Sequence, residues 1–78
     1  MSRPIRDIAA EIILDWKKPY FGAVPYLEAM KSLCSIKENY YQDTGESVVA
    51  YFLSNAATWK GEVARRVKKE LNAMLKSP

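Results

Sequence analysis

Residues 47–59, SVVAYFLSNAATW, contain no charged side chain, and most of them are apolar. If this stretch forms a helix, only Ala50, Ser54 and Asn55 leave a thin polar strip along it. A helix that is apolar on nearly every side is usually surrounded by other elements. The stretch therefore predicts a central helix, opened by the cap-forming segment 43–46, with the rest of the chain packed around it.

Two amphipathic helices are predicted, one before and one after this segment. In both, apolar residues recur three and four positions apart, which places them on one helix face. The first set is Ile5, Ile8, Ala9, Ile12, Ile13 and Trp16, and the last is Trp59, Val63, Val67, Leu71, Met74 and Leu75. Ser2 is expected to cap the first helix, Pro19 to end it, and Thr58 to cap the last one.

The segment between the first and the central helix predicts two shorter elements. A helix is expected from Pro25, which suits a first turn, to about Cys34. Its inward side chains would be Leu27, Met30, Leu33 and Cys34. Residues 35–38, SIKE, match a capping box, so a brief helical turn through Tyr40 and Tyr41 is expected to follow.

Length and composition restrict the fold class. The chain has 78 residues, of which 49 % are hydrophobic and 27 % charged, as in an ordinary globular domain. No stretch alternates with the period of a strand, and no segment repeats. We therefore predict an all-α fold, a compact single-domain bundle of about four helices over residues 1–78. No apolar segment reaches the roughly 20 residues of a membrane span and the start lacks a secretory signal, so a cytoplasmic protein is expected.

The residue types present restrict the chemistry of any active site. The chain has no His and one Cys, Cys34, so its own residues cannot build a Ser-His-Asp triad, a Cys-His pair or a Cys/His zinc site. Residues 43–45, DTG, match a tripeptide that also occurs in aspartic proteases, where the aspartate follows an apolar strand and pairs with a second aspartate. In this chain a helix cap explains the same three residues. We predict no catalytic residue, no cofactor and no metal site, and we expect Cys34 to be reduced and partly buried.

The net charge of +3 conceals an uneven distribution. Residues 58–78 carry six basic and two acidic residues, a net of +4, so the remaining residues sum to −1. The six basic residues, named here the basic ridge, are Lys60, Arg65, Arg66, Lys68, Lys69 and Lys76. The sequence leaves three interpretations of this ridge open. It is a solvated helix face, a surface that binds the phosphates of a nucleic acid, or a docking surface for an acidic protein.

The first helix carries the opposite charge. Asp7, Glu11 and Asp15, named here the acidic strip, follow one another at four-residue spacing, an arrangement that costs a helix about 0.2–0.5 kcal/mol per pair. The strip is a solvated face offset by neighbouring bases, or a surface that meets a basic partner or the basic ridge of a second copy in a homodimer. Three acids on one exposed helix would hold a divalent ion only loosely without further ligands.

The aromatic residues fall into two groups. Trp16, Phe52 and Trp59 lie at apolar positions of the predicted helices and are expected in the core. The second group lies in connecting segments, where aromatic side chains either pack over a helix end or anchor an interface with a partner. These interface candidates are Tyr20, Phe21, Tyr40 and Tyr41.

Several segments together resemble one group of proteins. They are residues 5–9 (IRDIA), 16–18 (WKK), 20–27 (YFGAVPYL), 51–56 (YFLSNA), 58–62 (TWKGE) and 64–66 (ARR). Over nearly the whole chain, this pattern is similar to short uncharacterised helical proteins encoded by phages and other mobile elements of bacteria. The resemblance implies a small accessory protein in the bacterial host cell that binds a host or phage machine, as anti-defence inhibitors of CRISPR nucleases do.

Together these observations predict a non-enzymatic binding protein. The leading hypothesis is a mobile-element accessory protein that binds and modulates a protein or ribonucleoprotein through the loop aromatics and the charged surfaces. The first alternative is a nucleic-acid-binding module that uses the basic ridge, and the second is a small self-associating structural protein. No contact with a membrane is expected.

Overall fold

Four α-helices form most of the fold, which confirms the predicted all-α class. The structure is a computed structural model that describes residues 3–40 and 43–76. In chain order, the elements are α1 (Ile5–Asp15), α2 (Val24–Met30), β1 (Asn39–Tyr40), β2 (Asp43–Thr44), α3 (Gly45–Ser54) and α4 (Glu62–Lys76). The predicted cap Ser2 and the interface candidate Tyr41 lie outside the described residues.

A cluster of three aromatic rings forms the centre of the core. Phe52 of α3 is fully buried, and its ring lies edge-on to Trp16 at 6.2 Å and to Trp59 at 6.4 Å between centroids. Trp16 and Trp59 stack on each other at 5.7 Å. Because Trp16 follows α1 and Trp59 precedes α4, the cluster joins three helices, and the predicted core positions of all three aromatics are confirmed.

The inward faces of α1 and α4 are largely those that the spacing predicts. The apolar residues of both sets are buried, except that Val63 and Leu75 are half-buried and Ile13 is exposed. Ile13 follows Ile12 by one position, so it is turned by about 100° away from the buried face.

The central helix α3 packs against α2, α4 and both strands, as predicted, but one of its faces is exposed, so the expectation that other elements surround it on nearly every side is wrong. Val48, Val49 and Phe52 are buried, whereas Ala50 is exposed and the Tyr51 side chain is 53 % exposed. A chain of this length has too few elements to cover both sides of a helix. Tyrosine is well suited to such a position because its ring is apolar while its hydroxyl remains in water.

The short helix α2 ends at Met30, four residues before the predicted end, and Cys34 is exposed instead of turned inward. After α2 the chain turns and its carbonyl groups cap α1: the Ile5 N–H donates to Cys34 O at 3.2 Å and the Arg6 N–H donates to Leu33 O at 2.8 Å. These two bonds satisfy N–H groups that a helix start leaves free. The Cys34 thiol lies on the surface, where its Sγ accepts from Arg6 Nη1 at 3.1 Å.

The predicted helical turn after the capping-box segment is absent from the described residues, and a small hairpin stands in its place. Ser35 Oγ accepts from the Lys37 N–H at 3.1 Å, and the Glu38 carboxylate accepts from the Cys34 N–H at 2.9 Å. The side chains therefore close a turn, not the start of a helix. Beyond this turn β1 and β2 pair antiparallel in the register Asn39↔Thr44 and Tyr40↔Asp43.

Helix α3 begins as predicted, at a cap within residues 43–46. Thr44 Oγ1 accepts from the Ser47 N–H at 3.1 Å. Helix α4, in contrast, begins at Glu62 and not after Thr58, because Trp59 enters the core and the chain turns at Gly61, where φ is +117°. A positive φ of this kind favours glycine.

At Gly45 the backbone at the start of α3 lies close to the backbone of the turn at Ile36. A Cβ atom at this position would lie 2.8 Å from Ile36 O and 2.9 Å from Ile36 Cα. We expect Gly45→Ala to lower the free energy of unfolding by about 1–3 kcal/mol, because a backbone neighbour cannot rotate away. Urea unfolding followed by tryptophan fluorescence measures this change. The control is Glu46→Ala at the next, exposed position, for which we expect a change within about 0.5 kcal/mol; equal losses would contradict the packing constraint.

Candidate functional site

The acidic strip meets the basic ridge within the same chain. Glu11 forms an ion pair with Arg66 of α4 and a second with Arg3, whose Nη2 lies 2.8 Å from Glu11 Oε1. Arg3 also donates two parallel hydrogen bonds to Glu70, at 3.1 Å from Nε and 2.7 Å from Nη2. These four residues, named here the ion-pair network, join the start of the chain, α1 and α4.

The ion-pair network changes the acid–base properties of its members. The guanidinium groups of Arg66 and Arg3 hold the pKa of the Glu11 carboxyl below its usual range, against the opposing effect of burial. The hydrogen-bonded Glu70 carboxylate, with Glu11, raises the pKa of Arg3. Both carboxylates are half-buried, so water screens these pairs less than it screens fully exposed ones.

The two other members of the acidic strip have different surroundings. Asp15 Oδ2 accepts from the indole Nε1–H of Trp59 at 2.8 Å, which satisfies the one polar group of a buried ring. Asp7 is exposed in the first turn of α1. Two of the three acids therefore have internal contacts, and the strip does not present a continuous acidic surface to a partner.

The basic ridge is divided by internal contacts. Arg66 belongs to the ion-pair network, and Lys68 Nζ donates to Trp59 O at 2.6 Å while lying 5.9 Å from the centre of the Trp59 ring. Burial lowers the pKa of Lys68, and the charge of Lys60 adds to this effect. The remaining members are exposed: Lys60, Arg65, Lys69 and Lys76.

Three cations of the ridge line one shallow depression at the start of α4. We name it the α4 recess; it has a volume of about 310 Å³, and its lining residues are Trp59, Lys60, Gly61, Ala64, Arg65 and Lys68. None of these lining residues is acidic. The charged residues that line this concave surface are therefore all cations.

The loop aromatics lie on the surface. The Phe21 side chain is 78 % exposed and that of Tyr20 is 43 % exposed, and their rings are 4.8 Å apart. Val24, one turn further along the chain, and Tyr51 of α3 are also exposed. We name Tyr20, Phe21, Val24 and Tyr51 the aromatic patch.

Asn55 lies beside Tyr20 and one helical turn after Tyr51. Its Nδ2 donates to Tyr51 O at 2.8 Å, and it lines with Tyr20 a small depression of about 200 Å³ that Ser54, Ala57 and Thr58 complete. The sequence predicts Tyr20 and Phe21 as interface candidates but not Tyr51, because Tyr51 lies among the apolar residues of the central helix. Of the remaining candidates, Tyr40 belongs to β1 but its side chain is not among the described parts of the chain, and Tyr41 lies outside them.

Comparison of this chain with protein-family models, with curated proteins and with solved structures finds no match. Within residues 3–40 and 43–76, no helix has both the length and the apolar character needed to cross a bilayer. Within the same residues, no three His, Cys, Asp or Glu side chains come together in a group that could hold a metal ion.

The ion-pair network predicts a specific dependence of stability on pH. The pKa of the Glu11 carboxyl is lowered in the folded state, so its ion pairs stabilise the fold at pH values above the usual carboxyl pKa. This stabilisation is lost as the pH falls through the pKa that Glu11 has in the folded protein. We expect Glu11→Gln to lower the free energy of unfolding by about 1 kcal/mol at neutral pH and to flatten its decrease in acid. Urea unfolding at a series of pH values measures both effects.

The matched control for this experiment is Asp7→Asn, which removes a carboxylate from the same helix without touching the ion-pair network. We expect this variant to keep the acid profile of the unaltered protein. Identical profiles for the two variants would show that the Glu11 contacts contribute nothing specific to stability.

Proposed function

We propose that this protein is a non-enzymatic binding protein that recognises a protein or a ribonucleoprotein through the aromatic patch. The observation that carries this proposal is the Tyr20–Phe21 pair, which places two large rings on the surface although the core already contains its own aromatic cluster. Exposed apolar patches are typical of interaction sites. Aromatic side chains are also the residues that most often dominate the binding energy of an interface.

The aromatic patch is held in place before any partner binds. Tyr20 folds back against Gly22 and Asn55: a Cβ atom at Gly22 would lie 2.6 Å from the Tyr20 ring and 2.8 Å from Asn55 Oδ1. The Ala23 N–H donates to Tyr20 O at 2.8 Å and fixes the turn that carries Phe21. A preorganised surface loses little conformational entropy on binding, which favours affinity.

The use of the acidic side chains supports binding over catalysis. Asp15 is engaged by a buried indole, and Glu11 is engaged by two arginines that lower its pKa. A carboxyl group with a lowered pKa is a poor general acid at neutral pH. Asp15 and Glu11 therefore stabilise the fold through these contacts.

The resemblance to phage and mobile-element proteins stays a prediction. If it holds, the partner of the aromatic patch would be a host or phage machine, and the biological effect would be its inhibition or modulation. If the resemblance holds, we expect the protein to act inside a bacterial host cell.

Photo-crosslinking tests the proposed function directly. With p-benzoylphenylalanine in place of Phe21, we expect a specific crosslinked partner in cells of the organism that encodes the protein, because this side chain is the most exposed aromatic of the patch. The control places the same amino acid at Leu14, a similarly exposed position of α1 outside the patch. A partner captured equally from both positions, or from neither, would contradict the proposal.

Two further outcomes of this experiment are informative. Crosslinks between two copies at position 21 would indicate the self-associating alternative, and light scattering would give the number of copies. Phe21→Ala should leave the free energy of unfolding within about 0.5 kcal/mol, as for a surface residue, and a larger loss would assign the ring to the fold and not to an interface.

Nucleic-acid binding is a second candidate function, favoured by the exposed members of the basic ridge. Arg65 and Lys69 lie one turn apart on α4, and Lys60 lies just before the helix. Such a surface contacts phosphates without reading bases. If the partner is a ribonucleoprotein, this basic surface would contact its RNA, in addition to the contact that the aromatic patch makes.

Fluorescence anisotropy with labelled DNA and RNA tests the second candidate. We expect binding at low salt whose affinity falls steeply as salt is raised, because counterions are released from the phosphates. The double variant Arg65→Glu, Lys69→Glu should abolish this binding with unchanged helicity and melting temperature. Absence of binding at low salt would remove this candidate and leave the aromatic patch as the proposed site.

A further inference from the structure

We propose, building on the second candidate function, that the α4 recess is a binding site for one phosphate group of a nucleic-acid strand. The basic ridge as a whole gives only a diffuse positive surface. The α4 recess, in contrast, gathers Lys60, Arg65 and Lys68 around one concave point at the start of α4. These three cations therefore form a defined site within that surface, distinct from the rest of the ridge.

The charges around the α4 recess are unbalanced in favour of an anion. The neighbouring carboxylate of Asp15 is engaged at the indole N–H edge of Trp59 and does not line the recess. Glu11, which neutralises Arg66, is not among the lining residues either, and the exposed Glu62, which directly follows Gly61, offsets one of the three positive charges. The remaining positive charges repel each other, and a bound oxyanion would relieve that repulsion.

One of the three cations has a fixed position. Lys68 Nζ is tied to Trp59 O at 2.6 Å and lies against the indole ring, so its ammonium group is oriented before a ligand arrives. Lys60 and Arg65 are exposed and can close on the ligand from the rim. An ammonium group has three donors, so Lys68 retains N–H groups for a phosphate oxygen after the contact with Trp59.

The backbone at Gly61 allows a close approach. Gly61 has a φ of +117°, and nothing lies within 4 Å of the point that a Cβ atom would occupy. A glycine at such a place lets a ligand come near the backbone. The Trp59 ring itself is buried, so it offers no face on which a base could stack. The recess is therefore suited to a phosphate and not to a nucleobase.

The positions of the remaining ridge residues favour a strand as the source of the phosphate over a small free anion. Lys69 and Lys76 extend the positive charge beyond Arg65 over about 16 Å of helix length. A ligand with charges repeated along its length can contact the α4 recess and this extension together. A strand bound in this way is held by its backbone, which predicts weak dependence on base sequence.

Nuclear magnetic resonance titration of the full chain, labelled with ¹⁵N, tests the inference. The probes are sodium phosphate, sodium chloride at matched ionic strength, and a short single-stranded DNA oligonucleotide. We expect phosphate and the oligonucleotide, but not chloride, to produce saturable shifts of the Lys60, Gly61 and Ala64 amides. Arg65→Ala should weaken oligonucleotide binding about tenfold, the loss expected for one charge-assisted contact.

The control is Lys37→Ala, which removes one positive charge from an exposed position outside both the recess and the basic ridge. We expect it to weaken binding by no more than about twofold, through the general salt-dependent attraction. Both replaced side chains are exposed, and we expect circular dichroism to show that both variants keep their helices.

The possible results separate this inference from the second candidate function. Oligonucleotide binding that both variants weaken equally would keep the nucleic-acid function but overturn the recess as its site. Phosphate shifts without oligonucleotide binding would support the phosphate site and overturn both the strand as its source and the second candidate function. No saturable shift with either probe would overturn the inference completely, while the protein-binding function of the aromatic patch would be unaffected.

Discussion

Trp59 is the residue on which most of this structure depends. Its ring stacks on Trp16 and meets Phe52, its indole N–H donates to Asp15, and its carbonyl oxygen and ring hold Lys68. One side chain thus connects the end of α1, the centre of α3 and the start of α4. In a domain of this size the buried apolar area is small, so a few large aromatic side chains contribute a large share of its stabilisation.

The same residue explains how the charges are distributed. Because Trp59 brings α1 against α4, the acids of α1 face the cations of α4, and Glu11 pairs with Arg66 inside one molecule. The sequence separates a nearly neutral first part from a basic last helix, but the folded chain neutralises part of that helix. Three cations outside this pairing, Lys60, Arg65 and Lys68, line the α4 recess together with Trp59.

Local patterns in the sequence were sufficient for most of the fold. The three-and-four spacing predicted the buried faces of α1 and α4, and the Thr44 cap marked the start of α3, since these features depend on neighbours within one or two turns. Residues 33–40 were mispredicted because their backbone partners belong to other elements: Leu33 O caps α1, which is distant in the chain, and Glu38 O accepts from the N–H of Gly45 at the start of α3. No local pattern indicates such contacts.

The sequence predicted the exposed aromatic residues only where they lie in a loop. Tyr20 and Phe21 were identified because aromatic residues in a connecting segment have few neighbours, whereas Tyr51 was hidden in a helix expected to be buried on all sides. The division of the basic ridge depends on the contact between Arg66 and Glu11, which are 55 positions apart, so no spacing argument could assign Arg66 to the ion-pair network.

The connection between α3 and α4 gives both proposed surfaces the same structural support. Ala56 and Trp59 are buried and joined by a hydrogen bond of 3.1 Å from the Trp59 N–H to Ala56 O, while Thr58 and Lys60 between and beside them are exposed. Thr58 lines the depression beside Tyr20, and Lys60 lines the α4 recess. Because the buried residues fix the backbone, the exposed ones are presented in a defined geometry, which reduces the entropy lost on binding at either surface.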